Sequence, residues 1–182
     1  MVVALLVFVA TQRLCIPRFD FSSHADSRIP FVPASWYVYV LFYPYVIFAA
    51  MLACPKRFGV FMMSAALAFV VALCCFLAFP ELVPRPDVAS IDNAFLRQRL
   101  DRMWQIDRPT HGFPSLHVAL TLLAAWMVLD RRLGWVFAAI GAVICASTLT
   151  VKQHTCADVA GGMMLALLSA AIAQRLALRS TR

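Results

Sequence analysis

The sequence predicts an all-α protein: a polytopic membrane bundle of about five to six transmembrane helices, with an amphipathic interfacial helix in one long loop. Three observations carry this reading. Of the 182 residues, 63% are hydrophobic and 14% are charged, against about 45–50% and about 25% in soluble domains. The apolar residues come in runs close to the roughly 20 residues that a helix needs to cross a bilayer. The charged residues fall between those runs, in short basic clusters and one long polar stretch. Little is left over for a soluble module, so residues 1–182 read as one integral membrane domain.

The elements follow in order. "MVVALLVFVATQRLCI" opens with a short apolar run and has no basic segment before it. It makes a poor secretory signal and reads as a short or truncated first helix. Residues 31–53 are long enough to span and carry aromatic residues suited to the interfaces. "CPKR" at 54–57 is a tight basic loop, and 58–79 is a clear span. A polar stretch runs from Pro80 to Gly112, where the prolines of "PELVPRPDVAS" disfavour helix. Within it, Ile91, Phe95, Leu96, Leu100, Met103 and Trp104 recur near helical spacing, with Arg97, Arg99, Asp101 and Arg102 among them. That pattern predicts a short amphipathic helix at the membrane surface. Three further spans are 114–129, ended by "DRR", then 133–151 and 156–173.

A formal charge of +7 in such a chain points to topology and phosphate binding rather than to nucleic acid. When spans alternate, Lys56/Arg57, Arg131/Arg132 and the tail with Arg175, Arg179 and Arg182 share one side. The positive-inside rule makes that side cytoplasmic. The long loop and the turn "KQHT" (152–155) then face the other compartment, where the loop's arginines need another task. Cys54, Cys74, Cys75 and Cys145 lie in or beside apolar runs as small hydrophobes. Nothing in the sequence pairs Cys15 with Cys156, and no C-x-x-C or metal-type spacing is present.

The predicted topology gathers polar residues at one membrane face: His117 at the start of the fourth span, Ser147 and Lys152 at the end of the fifth, and His154 and Asp158 at the start of the sixth. Polar groups at membrane depth are costly and normally face a protein interior or a wet cavity. His154 and Asp158 are four positions apart and share a helix face. The carboxylate can accept the Nδ1–H and leave Nε2 free as a base or nucleophile; alternatively the pair is a helix cap beside an interfacial histidine. In "GFPSLH", Pro114 suits a first helical turn, and the N–H groups of Ser115, Leu116 and His117 can point at an anion. Ser115 adds a hydroxyl, and His117 can protonate a leaving oxygen. Arg108 and Lys152 can each hold phosphate oxygens. Taken singly, these residues also fit an ordinary helix start and lipid-facing basic side chains. Together they suit metal-free phosphoryl transfer through a phosphohistidine, with no cofactor.

The same residues resemble the type-2 phosphatidic acid phosphatase superfamily, whose blocks are K-x6-R-P, P-S-x-H and S-R-x5-H-x3-D. The second stands here as Pro114-Ser115-Leu116-His117, the third as Ser147, His154 and Asp158, and the first as Arg108-Pro109 alone. The likeness runs over about residues 102–162. Asp101 stands where the family has Lys, with Arg102 one place away; Thr148 stands for the family's Arg; Leu116 replaces the common Gly, as in the phosphotransferase branch. The resemblance implies that His154 attacks phosphorus, Asp158 orients it and His117 protonates the leaving group. It also implies that Arg108, Lys152, Ser115 and Ser147 hold the phosphoryl oxygens, with Arg102 and His111 as accessories. His111 either assists proton transfer or lines the entrance. The expected protein is a lipid phosphate phosphatase of the bacterial inner membrane, with its site on the non-cytoplasmic face. Its expected partners are a phosphorylated lipid and the bilayer, not nucleic acid, and its oligomeric state is left open. Three alternatives stand beside it: a lipid head-group phosphotransferase with an alcohol acceptor, an inactive family member, and a non-catalytic transport or assembly protein. Polar residues clustered at one face, rather than strung across the membrane, speak against the last.

Overall fold

The structure, a computed structural model, describes residues 10–13 and 15–179. The expected first helix at 1–16 falls largely outside the described residues. After a short helix α1 (His24–Arg28), a 3-10 turn (Pro33–Ser35) leads into α2 (Trp36–Val40) and α3 (Phe42–Leu52). Then follow α4 (Pro55–Ala78), α5 (Ala94–Ile106), α6 (Leu116–Met127), α7 (Gly134–Thr150) and α8 (Cys156–Arg179). Among the described residues there is no strand, only an isolated bridge between Phe19 and Glu81.

Three stretches are long and apolar enough to cross a membrane: Pro33–Leu52, Pro55–Ala78 and Cys156–Arg179; α6 and α7 are shorter apolar helices. The first stretch is interrupted at Leu41, between α2 and α3. Pro44 explains the break: it has no N–H for the Val40 carbonyl, and its ring crowds that group.

Helix α4 packs on α6 and α8, α6 also packs on α7, α8 and α3, and α2 packs on α7. The shared core is rich in small side chains, with Ala49, Ala68, Ala72, Ala119, Ala124 and Ala166 all buried. Such residues let helix backbones approach closely, the packing mode of membrane helices, where lipid is as apolar as leucine. Large apolar side chains point outward instead, among them Phe48, Val70, Trp135, Val143 and Leu167. An apolar outside around a small-residue inside is the arrangement a bilayer demands.

The expected amphipathic helix is α5, which buries Leu96 and Leu100 beside Ile91 and leaves Arg97, Arg99 and Arg102 exposed. Asn93 caps it by accepting the Leu96 N–H at 3.0 Å. At one end of the bundle Arg57 meets Asp130 at 3.3 Å and donates to the Trp126 carbonyl at 2.9 Å. The expected 54–57 loop is instead the start of α4, where Pro55 suits the first turn, and that start lies beside the 130–132 turn.

At the other end, residues 18–32 form a strap. Its Arg18 and Phe19 N–H groups donate to the Pro80 carbonyl, and its Val32 N–H to the Thr150 carbonyl. The strap therefore joins the exit of α4 to the exit of α7.

Candidate active site

The α7–α8 turn sets the site. Helix α7 ends with the Gln153 N–H on the Thr148 carbonyl (3.0 Å) and the Lys152 N–H on the Leu149 carbonyl (3.2 Å). This is a Schellman ending, whose left-handed position is normally glycine. Here it is Lys152, with φ 56°, a conformation costing a non-glycine residue about 1–2 kcal/mol. Its ammonium donates to the carbonyls of Asp26 (3.0 Å) and Ile29 (2.7 Å), tying the strap to the turn. The expectation that Lys152 holds phosphate thus meets a competing role that occupies two of its three donors.

The turn delivers His154 to the mouth of α8. Asp158 accepts the Thr155 N–H at 2.8 Å, and Thr155 Oγ1 accepts the Asp158 N–H at 3.3 Å. This is a reciprocal capping box. The same Asp158 Oδ2 faces His154 Nδ1 at 3.3 Å. The two sequence readings of this pair therefore coincide: Asp158 caps the helix and orients the histidine. It is fully buried, whereas the His154 side chain keeps 12% exposure. With Nδ1 turned to the carboxylate, Nε2 is the nitrogen left to react. Asp26 accepts the Cys156 N–H at 2.7 Å, so two carboxylates already occupy the α8 N-terminus.

The second histidine comes from α6. Ser115, rather than Pro114, starts this helix: it is the N-cap, accepts the Val118 N–H at 3.2 Å, and puts Leu116 at the first helical position. Pro114 therefore lies outside the helix, a correction to its expected place in the first turn. The Ser115 N–H is also not available to an anion, because it donates to the Asp158 carbonyl at 3.0 Å. The N–H groups of Leu116 and His117 remain at the helix start.

Two glycines allow this contact. A Cβ on Gly162 would stand 2.5 Å from the Ser115 carbonyl oxygen, and one on Gly161 would stand 2.6 Å from the Phe113 ring. His117 is held between the rings of Tyr39 (4.4 Å) and Phe42 (4.0 Å). It lies within electrostatic reach of His154. Its Nε2 is buried without a hydrogen-bond partner among the described residues.

The other expected site residues are placed less simply. Ser147 is buried, and its hydroxyl donates to the Ile144 carbonyl of its own helix at 2.6 Å. Thr148, at the family's arginine position, likewise bonds back to the Cys145 carbonyl. Arg108 is exposed, and Arg102 is exposed on α5. His111 is 5% exposed and packs on the Phe76 ring at 4.9 Å, inside the bundle rather than at its entrance. Burial lowers its pKa, with the Thr110 backbone and the Asp107 charge opposing.

A cation that the sequence reading passed over is built into this end. Arg85 donates to the Asp107 carbonyl at 2.8 Å and to Gln153 Oε1, and lies 5.6 Å over the Trp104 ring. Burial pulls its pKa down to about 10, opposed by the nearby Asp107 carboxylate, so it stays cationic at neutral pH. Asp107 in turn accepts from Gln12 (2.6 Å) and Gln153 (3.1 Å). The only sequence signal for Arg85 was its position between two prolines in a loop that topology leaves on the wrong side for arginines.

Glu81 was also missed. It is fully buried just beyond α4, and neither of its carboxyl oxygens has a hydrogen-bond donor among the described residues. An open cleft of about 380 Å³ leads to this end, lined by Asp26, Ser27, Arg85, Lys152, His154 and Thr155 among others. Among the described residues no three of His, Cys, Asp or Glu gather as a metal site.

These features define an all-helical bundle with two histidines, one backed by a carboxylate, at a single end. A family model for the PAP2 superfamily matches residues 21–172. The chain belongs to that superfamily, whose members are membrane-associated phosphatases and phosphotransferases. With its spanning helices, this makes it a membrane protein of a phosphoryl-transfer family. No curated protein and no solved structure matches the chain.

Proposed function

We propose that the protein hydrolyses a phosphate ester or diphosphate of a membrane lipid, without a metal, through a phosphohistidine on His154. The observation that carries this is the pairing of His154 with a buried, helix-capping Asp158, at the same end of the bundle as a second histidine, His117, whose Nε2 has no hydrogen-bond partner among the described residues. In the first step His154 Nε2 attacks phosphorus, and the bond to the leaving oxygen breaks as His117 supplies that oxygen with a proton. In the second step water attacks the phosphohistidine, His117 takes up a proton, and phosphate leaves His154. Asp158 holds the ring and stabilises its positive charge, as the carboxylate does in a hydrolase triad.

The N–H groups of Leu116 and His117 at the helix start, with Arg108 and the remaining Lys152 donor, are the proposed oxygen-holding groups. The basic residues gathered around Arg57 and Asp130 support a cytoplasmic opposite end and a site facing the other compartment. A variant free of native cysteines, labelled at exposed Asp92→Cys in intact cells, tests that orientation; labelling only after the inner face is opened would refute it.

Phosphate release from a panel of lipid monophosphates and diphosphates, with product masses recorded, tests the reaction. Free phosphate supports hydrolysis. A head group moved onto another lipid identifies the phosphotransferase reading, and no turnover of any substrate identifies an inactive member. Turnover is expected to survive EDTA and to be inhibited by vanadate, which mimics the transferring phosphoryl group.

A further inference from the structure

Two carboxyl groups meet behind the reactive histidine. A Cβ on Gly112 would lie 2.5 Å from Glu81 Oε2 and 2.7 Å from Asp158 Oδ2. Both side chains are fully buried. Both Glu81 oxygens and Asp158 Oδ1 lack a donor among the described residues. Two carboxylates this close cannot both be ionised in a dry site, because each raises the cost of the other's charge. One proton between them removes the conflict and gives the pair a donor of its own. Asp158 already accepts the Thr155 N–H and faces His154 Nδ1, whereas Glu81 has no such donor among the described residues. The proton therefore belongs on Glu81.

We propose that Glu81 is a protonated carboxylic acid that donates a hydrogen bond to Asp158, making it a positioning residue for His154. The role rests on the phosphohistidine reading above; the shared proton rests on geometry alone. With Glu81 neutral, the pair carries one negative charge. Asp158 is then pinned from behind while it orients the imidazole, and a second anion does not confront the incoming phosphate. The groups acting on Glu81 agree. Burial raises its pKa far above the ordinary glutamate value of 4.5, the neighbouring Asp158 carboxyl raises it further, and Asp20 on the strap adds to this. From α8, His154 reaches the pair through Asp158. Gly112 leaves room for this approach, since a Cβ there would clash with an oxygen of each carboxyl.

The test uses the full chain in detergent, comparing wild type with Glu81→Gln and Glu81→Leu. The infrared C=O stretch of a protonated carboxylic acid is expected at neutral pH, absent in Glu81→Gln, and lost from wild type in the alkaline range. Turnover of a lipid monophosphate is expected to fall about 10–100-fold further in Glu81→Leu than in Glu81→Gln, because only the amide keeps a donor for the buried carboxylate. The loss of wild-type activity as Glu81 deprotonates is expected to disappear in Glu81→Gln. An absent band, an unchanged alkaline limb, or a glutamine variant as impaired as the leucine one would overturn the proposal. The infrared signal needs no substrate. A band present in protein that turns over no lipid phosphate therefore keeps the shared proton and defeats only the phosphatase reading.

Discussion

The two ends of this bundle treat charge in opposite ways. At the Arg57 end, the Arg57–Asp130 pair is partly exposed, at 30% and 45% of the two side chains. Arg57 is also served by a helix carbonyl and the Trp126 ring, 5.3 Å away. At the His154 end, Glu81 and Asp158 are fully buried near each other, and His117 Nε2 has no hydrogen-bond partner among the described residues. The first arrangement is what helix ends need when they meet head groups and water. The second costs stability, because buried carboxyls and imidazoles lose hydration that only specific partners restore. Groups kept under such conditions are candidates for chemistry, and the contrast lies within one molecule.

The largest expected effect is on the His154 end. His117→Ala should lose about 10²–10⁴-fold in turnover of a lipid monophosphate, the usual worth of general acid catalysis. It should lose much less on p-nitrophenyl phosphate, whose leaving group departs with little need of a proton, provided phosphoenzyme formation limits the rate. Equal losses on the two substrates would remove His117 from the acid role.

The next effect is structural. Gly162→Val would drive a side chain into the Ser115 carbonyl and Val118. The overpacking should cost about 1–3 kcal/mol, read as a lowered unfolding midpoint in detergent. Gly59, whose added Cβ would meet nothing within 4 Å, is the control position and should tolerate Ala.

The pH dependence of stability separates the ends further. A carboxyl with a raised folded pKa keeps a proton that the unfolded chain has lost. Its contribution is fully present below the unfolded value of 4.5 and falls as pH rises from there through the folded value. Unfolding measured across that window should show stability declining with pH in wild type, with a shallower decline in Glu81→Gln. A slope unchanged by the substitution would mean that Glu81 does not titrate as assigned.

The smallest effect is at the opposite end. Arg57→Met should change stability by about 0–1 kcal/mol, as exposed ion pairs do, and leave turnover unaltered. A large kinetic loss there would erase the contrast between the ends.

Much of this was legible in the sequence, for physical reasons. Long apolar runs leave few alternatives to helix, and 58–79 and 133–151 match α4 and α7 closely. The period of Leu96 and Leu100 found α5. The H-x3-D spacing brings His154 to Asp158, though not on a shared helix face: His154 stands just before α8, and the Thr155–Asp158 cap closes the pair. Local competition was harder to read. Proline at a helix start is a good rule, yet the Ser115 hydroxyl captured the Val118 N–H and began the helix two residues later. The Leu41 break follows from Pro44 but is hidden inside an apolar run. Nothing local marks Lys152 for a left-handed turn; its ties to Asp26 and Ile29 come from a strap more than a hundred residues away in sequence. Glu81 and Arg85 were read as loop residues because their burial depends on Gly112, Asp107 and Gln153, which only the folded chain brings to them.

The central claim is that His154 carries the phosphoryl group. Protein mixed with a radiolabelled lipid monophosphate, quenched under alkaline conditions that preserve phosphohistidine and mapped by peptide mass, tests it most directly. The account predicts label on His154, no label in His154→Ala, and slower labelling in Asp158→Asn. Label on His117, or turnover that persists in His154→Ala, would contradict it.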